Sequence, residues 1–90
     1  MHNEIIKLLS GRNIEIKNSI HVTGDDYKIY IITSGRIIRL SITHAKLTFN
    51  EMEKLLPSYK CYKGAHKKHI SISNLKLADI DCIINEVESW

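Results

Sequence analysis

The sequence has few of the features on which membrane proteins, secreted proteins and nucleotide-binding enzymes depend. Its longest apolar runs, such as 29–32, have three or four residues, whereas a membrane-spanning helix needs about 20. The first residues include the acidic Glu4 and no small-residue cleavage site, so we expect neither a signal peptide nor a membrane partner. The four glycines are scattered along the chain, so they predict no phosphate-binding loop.

Cysteine is also scarce, and this bears on the cellular compartment. The two cysteines, Cys61 and Cys82, lie outside any Cys-x-x-Cys spacing. In a chain without a secretory signal, such residues are expected to be reduced thiols. The sequence therefore predicts a cytoplasmic protein.

The chain does have enough apolar sequence for one small domain. Its 90 residues are 43% hydrophobic, which is typical of globular proteins, and we expect residues 1–90 to form a single domain. A domain of this size has little room for a ligand cleft of about 300 Å³ or more. We therefore expect a protein that is not an enzyme and that needs no cofactor. The net charge of +3 is compatible with an acidic protein or nucleic acid as partner.

Hydrophobic periodicity and turn residues predict alternating helices and strands. Apolar residues at helical spacing indicate helices at 3–10, from Phe49 to just before Pro57, and at 77–88. Alternating or β-branched runs indicate strands at 14–17, 20–22, 27–33, 36–43 and 67–73, with Ser34-Gly35 as a hairpin loop. Thr48, followed three residues later by Glu51, has the pattern of a capping box.

These elements predict an α+β fold. We expect an antiparallel sheet of four to five strands with two or three helices packed on one face, in roughly the order α-β-β-β-α-β-α. The strand count depends on whether Asn18-Ser19, between 14–17 and 20–22, is a turn or a bulge. The segments 40–48 and 70–78 are similar: each reads as a strand end, a polar turn, Lys-Leu and a helix. This similarity is consistent either with the ordinary sequence of a strand-to-helix junction or with two ββα units that share one sheet.

The predicted sheet has one face that the helices leave uncovered. If Ile38, Leu40 and Ile42 face the helices, alternate residues face away. The outward residues are then Lys28, Tyr30 and Ile32 in one strand, Ile37, Arg39 and Ser41 in the next, and His69, Ser71 and Ser73 in the last. Such a face is consistent with a solvated surface, a protein interface anchored by tyrosine and arginine, or a nucleic-acid surface.

A basic segment, 59–69, is the strongest local bias in composition. It contains four lysines, two histidines and two tyrosines, including Tyr62, Lys67 and Lys68, but no arginine. Lysines can neutralise phosphates, and the lack of arginine argues against bidentate phosphate or base recognition. Solvated loops and edge strands protected against pairing are often lysine-rich as well.

Metal-binding and catalytic patterns are weak. Cys61, His66 and His69 have the spacing Cys-x4-His-x2-His, but no fourth zinc ligand is nearby. A nucleophile pair of Cys61 with either histidine is possible on residue types alone. Asp25 and Asp26 follow Gly24 in a predicted turn, and Cys82 lies near the inward stripe of the last helix, where a free cysteine usually serves packing. We predict no metal and no catalytic residue.

The last predicted helix has an acidic exposed side. Asp81, Glu86 and Glu88 lie on it, and the chain continues to Trp90. Together with the basic segment, this side would make the surface dipolar. We expect Trp90 to fold back onto the core instead of contributing to an interface.

These observations favour a protein-binding function. Size and composition are similar to those of small proteins of phages and mobile elements, many of which, such as anti-CRISPR proteins, inhibit a host enzyme by occupying its surface. A nucleic-acid-binding domain is the alternative, and the sequence leaves open whether the chain is a monomer or a homodimer. The candidate partner-binding residues are Lys28, Tyr30, Arg39, Tyr62, Lys67, Lys68 and His69.

Overall fold

A computed structural model describes residues 2–90 and the side chains of 3–90. The helices are α1 (His2–Leu8), α2 (Phe49–Leu55) and α3 (Leu77–Glu88). The strands are β1 (Ile14–Ile16), β2 (Ile20–Thr23), β3 (Tyr27–Ser34), β4 (Ile37–His44), β5 (Cys61–Lys63) and β6 (His69–Leu75). The α+β class is thus confirmed, in the order α-β-β-β-β-α-β-β-α.

All six strands form one antiparallel sheet in the order β1-β2-β3-β4-β6-β5. The sheet therefore has more strands than the four to five that the sequence predicts. One of the additional elements is β5, a three-residue edge strand within the basic segment 59–69. Its sequence, Cys-Tyr-Lys, is too short to show a strand period, and it is a strand because β6 pairs with it. Short, lysine-bearing strands are a common way to protect a sheet edge.

The hydrophobic core lies between one face of the sheet and the three helices. The strands alternate between buried and exposed residues, as in β3 and β4, because successive side chains point to opposite faces. The buried strand residues are Ile20, Val22, Ile29, Ile31, Ile38, Leu40, Ile42, Ile70, Ile72 and Leu75. From the helices, Ile5, Met52, Ile80, Ile83, Ile84 and Val87 pack against them in one cluster, joined by Leu9 and Leu56.

Two local predictions meet different outcomes. The capping box of α2 is confirmed, since Thr48 N–H donates to Glu51 Oε1 and Glu51 N–H donates to Thr48 Oγ1. The β3–β4 loop is Gly35-Arg36 and not Ser34-Gly35, since Ser34 pairs with Ile37. Gly35 has a φ of +62° at the first loop position, where two-residue hairpin loops favour glycine.

A β-bulge interrupts the pairing of β4 with β6. Ile38 pairs with Leu75 and Leu40 with Ile72, so Ser73 and Asn74 lie opposite the single residue Arg39. Asn74 has a φ of +58°, a conformation that asparagine tolerates and that a bulge of this kind requires. The extra residue restores the inward orientation of Leu75, which is buried.

The centre of the sheet has an approximate two-fold arrangement. The hairpin β3–β4, followed by α2, lies beside the pair β5–β6, followed by α3, and the shared contact joins β4 to β6. Ser41 pairs with Ser71, and the flanking pairs are Leu40 with Ile72 and Ile42 with Ile70. A two-fold axis through the serine pair exchanges the flanking pairs. This axis relates residue 41 to residue 71, which is an offset of thirty residues. The similar segments 40–48 and 70–78 have the same offset.

Arg12 attaches the α1–β1 loop to α3. Its guanidinium donates to Glu88 Oε1 (2.5 Å), to Asn85 Oδ1 (2.8 Å) and to the carbonyl oxygen of Leu8 (3.2 Å), and lies 3.8 Å from Asp81. Much of the acidic side of α3 is therefore engaged within the chain. A sequence pattern does not reveal this contact, because the partners in α3 are 69 to 76 residues from Arg12.

Candidate interaction surface

The face of the sheet opposite the helices, called here the open face, has no covering element in the part of the chain that the structure describes. Its residues are the exposed or half-buried alternate positions of the strands: Glu15, His21, Thr23, Lys28, Tyr30, Ile32, Ser34, Ile37, Arg39, Ser41, Thr43, Tyr62, His69, Ser71 and Ser73. The orientation predicted for the strands 27–33, 36–43 and 67–73 is confirmed.

One row of residues crosses the open face at its middle. The strand register aligns, in order, Glu15, His21, Tyr30, Ser41, Ser71 and Tyr62. The two tyrosines flank the central serine pair symmetrically, three strand spacings or about 14 Å apart. The ring of His21 stacks on that of Tyr30, with centroids 4.2 Å apart. Tyr30 is therefore held in place within the free protein.

The open face also exposes an unusual amount of apolar surface. The exposed large hydrophobic residues on it are Tyr30 (39%), Ile32 (40%), Ile37 (52%) and Tyr62 (47%). Ile32 and Arg39 are a cross-strand pair, so a guanidinium lies among the apolar groups. Large exposed apolar side chains grouped on one face are typical of a binding surface.

The charge on the open face is mainly positive. Lys28 and Arg39 form no ion pair that the structure records among its described residues. The acidic Glu15 lies at the edge and forms an ion pair with Lys17 at 3.1 Å. At the other edge, Lys60 Nζ lies 5.6 Å from the ring centroid of Tyr62. The surface is therefore complementary to a partner with some acidic groups.

His69 joins the open face to the β5–β6 turn. Its Nδ1 accepts a hydrogen bond from the Ala65 N–H at 3.2 Å, so Nε2 carries the proton and donates to Ser41 Oγ. A side chain on Gly64 would overlap the imidazole. Burial, together with the neighbouring His66, lowers the pKa of His69. His69 thus positions the turn and is only partly available to a partner.

His44, at the end of β4, is a second histidine that is buried and hydrogen-bonded within the chain. Its Nδ1 accepts hydrogen bonds from the N–H groups of Lys46 and Leu47, both at 3.0 Å. Burial lowers the pKa of His44, and the nearby Asp26 opposes this effect only in part. The sequence does not single out this residue, because its importance depends on the path of the backbone after β4.

We expect the protein to lose stability as the pH falls below the ordinary histidine pKa of 6.5. With a lowered pKa in the folded state, the unfolded chain binds more protons, so the free energy of unfolding decreases with decreasing pH. The limit is about 1.4 kcal/mol per pH unit for each histidine. Urea unfolding between about pH 8 and pH 5 measures the effect.

Matched variants assign this pH dependence. His44→Gln and His69→Gln should each reduce it, whereas His66→Gln, at an exposed position, should reduce it less, since His66 is only the second cause of the lowered pKa of His69. If the pH dependence were the same in all three variants, it could not be assigned to His44, which is buried, and His69, which is partly buried.

Lys67 and Lys68 of the basic segment do not join the open face. Lys67 lies in the β5–β6 turn and, with Lys63, borders a hollow beside the first residues of α2. Lys68 Nζ donates to the carbonyl oxygen of Ala45 at 2.9 Å. The candidate residues are therefore divided: Lys28, Tyr30, Arg39, Tyr62 and His69 share the open face, and Lys67 and Lys68 lie apart from it.

The residues of the Cys-x4-His-x2-His pattern are separated. Cys61 pairs with the buried Ile72 and packs against the core, whereas His69 pairs with Thr43 on the open face. The sheet lies between the two side chains, so they form neither a shared metal site nor a nucleophile–base pair. Burial raises the pKa of the Cys61 thiol. Within residues 3–90, no group of three or more His, Cys, Asp or Glu side chains could hold a metal ion.

Two predictions about the last helix have opposite outcomes. Trp90 packs against the core cluster, as predicted. Cys82 is exposed, so the expectation that it serves packing is wrong. The buried stripe of α3 consists of Ile80, Ile83, Ile84 and Val87, and position 82 falls beside it at helical spacing.

Together, the fold and this surface define a class: a small α+β protein with an antiparallel sheet that is covered on one face and free on the other. The sequence model of a family described as phage ALC protein matches residues 1–89. The chain therefore belongs to the phage ALC protein family, which agrees with the phage-like size and composition of the sequence. No curated protein and no solved structure matches the chain. No helix in residues 2–90 is long and apolar enough to span a membrane.

Proposed function

We propose that this phage protein acts without catalysis, by binding a protein of the host through its open face. Binding would occupy a functional surface of a host enzyme in the cytoplasm and so inhibit it. The observation that supports this most is the location on the open face of four of the six exposed large hydrophobic residues within 3–90.

The residue types on this surface fit a protein partner. Tyrosine and arginine are enriched among residues that dominate protein–protein binding energy, and Tyr30 and Arg39 lie close to the centre of the face. Ile32 and Ile37 extend the apolar area around them. A solvated face would not need these four side chains, and serine or threonine fills six of the other eleven positions.

The arrangement of the basic residues favours a protein over nucleic acid. A nucleic-acid groove requires several phosphate contacts along one surface. Lys28 and Arg39 are on the open face, but Lys67 and Lys68 are not. The tyrosine pair on the open face is the feature that supports the nucleic-acid alternative, which predicts binding that weakens steeply with salt.

Site-specific photo-crosslinking tests the proposal. A photo-reactive phenylalanine analogue at Ile37, on the open face, should crosslink one host protein in a nuclease-treated host extract. The same analogue at the exposed Glu53 on α2 should not. Purified partner should then bind the unmodified chain and compete with crosslinking. Crosslinks that form only in an extract without nuclease treatment would support nucleic acid, and crosslinks only to a second copy would support a homodimer.

A further inference from the structure

A second candidate site lies on the helix side of the sheet, away from the open face. The β2–β3 turn, the end of β4 and the end of α3 enclose a hollow of about 460 Å³. His44 from the end of β4, Tyr27 from the start of β3 and Trp90 from the segment after α3 line it. This volume is in the range of ligand-binding pockets.

The hollow contains hydrogen-bond donors without acceptors. His44 is 5% exposed, and because its Nδ1 accepts two backbone hydrogen bonds, the proton is on Nε2. No residue that the structure describes accepts a hydrogen bond from this Nε2–H. The indole Nε1–H of Trp90 is buried and likewise lacks an acceptor among the described residues. A buried donor without a partner, such as Trp90 Nε1–H, is rare and unfavourable.

The charge around the hollow is negative. Asp25, Asp26 and Glu88 line it, and the carbonyl end of α3 has no basic residue in its last turn, so its dipole adds to the negative potential. Lys46 lies 3.7 Å from Asp26 and Arg12 pairs with Glu88, but Asp25 has no recorded ion pair within residues 3–90. Burial, then Glu88, raise the pKa of Tyr27.

We propose that this hollow binds an arginine residue of a protein partner. The guanidinium would pair with Asp25 and lie against the ring of Trp90, and the carbonyl oxygen of the same residue would accept from His44 Nε2–H. Arginine fits better than lysine because its planar guanidinium binds carboxylates with two hydrogen bonds and stacks on aromatic rings. At the border of the hollow, Arg12 already donates a hydrogen bond from Nε to Glu88 Oε1.

This site does not depend on the function proposed for the open face. His44 pairs with Tyr27 at the end of the sheet and is buried on the helix side, whereas the residues of the open face point to the opposite side. Loss of one site should leave the other intact, so an experiment can contradict one proposal without contradicting the other.

The test is a titration of the whole chain with N-acetyl-L-argininamide, followed by the fluorescence of Trp90, the one tryptophan of the sequence. The matched ligand is N-acetyl-L-citrullinamide, which keeps the shape and the carbonyl oxygen but lacks the charge. We expect saturable binding of the arginine compound at millimolar concentration, with the Nε1–H resonance of Trp90 shifting in NMR spectra. The citrulline compound should bind at least about twofold to fivefold more weakly.

Variants locate the site. Asp25→Asn should weaken binding about twofold to fivefold, as expected for loss of one exposed ion pair, and Asp25→Lys should weaken it further. Glu15→Gln, which removes an acidic group from the open face, is the matched control and should bind as the unmodified chain does. Equal responses to the two ligands, an unchanged affinity in Asp25→Lys, or no saturable response would overturn the proposal.

Discussion

Ile38→Ala should reduce the free energy of unfolding by about 2–5 kcal/mol, whereas Ile37→Ala should change it by no more than about 0.5 kcal/mol. The two residues are neighbours in β4 and have the same side chain. Ile38 is 0% exposed and Ile37 is 52% exposed. Truncation of Ile38 removes buried methylene groups and leaves a cavity in the core, but truncation of Ile37 leaves no cavity because about half of this residue is exposed to solvent.

Urea unfolding followed by circular dichroism measures both changes. Because a small domain is stable by only about 5–15 kcal/mol, Ile38→Ala should remove a large part of the total. It should also lower the melting temperature by more than about 8 °C. Similar losses in the two variants would mean that the open face is covered in solution, for example by a second copy of the chain, and that Ile37 is buried there.

The local elements could be predicted because each has a strong signal within a few residues. The alternation in 27–33 and 36–43 gives both the strands and the orientation of Ile38, Arg39 and their neighbours, since one face must be buried. The stripe in 77–88 and the Thr48 capping box work in the same way. These predictions rest on periods that the backbone geometry fixes.

Other features depend on contacts between distant parts of the chain. β5 is a strand because β6 lies beside it, and the cluster at Arg12 needs α3 to approach the α1–β1 loop. The bulge at Asn74 exists because Leu75 must return to the core. None of these contacts leaves a periodic pattern in the sequence.

The location of some residues of the candidate surface could be predicted from the sequence, and the location of others could not. Lys28, Tyr30 and Arg39 could be placed together because the β3–β4 hairpin is local. The addition of Tyr62 to the same row required the strand order β4-β6-β5. Lys67 and Lys68 were grouped with them because composition does not show on which side of a turn a lysine lies. The hollow above His44 is formed by three separate segments and is therefore not visible in the sequence.

On the proposed function, Tyr30→Ala and Arg39→Ala should each weaken binding to the partner identified by crosslinking at Ile37. We expect a loss of about 2 kcal/mol or more, or about thirtyfold in Kd, for each variant. The reason is position: both side chains lie near the centre of the open face, and the stacking of Tyr30 on His21 reduces the entropy lost when a partner covers the ring. Isothermal titration calorimetry gives the two affinities.

The double variant Lys67→Ala/Lys68→Ala is the matched control, since it removes more positive charge than Arg39→Ala but from outside the open face. It should change Kd by less than about threefold, because exposed charges at the rim of an interface contribute little. Circular dichroism should show that all variants are folded. If the double variant lost more affinity than Arg39→Ala, and binding weakened steeply with salt, the basic segment would carry the interaction and a nucleic-acid partner would replace the protein partner.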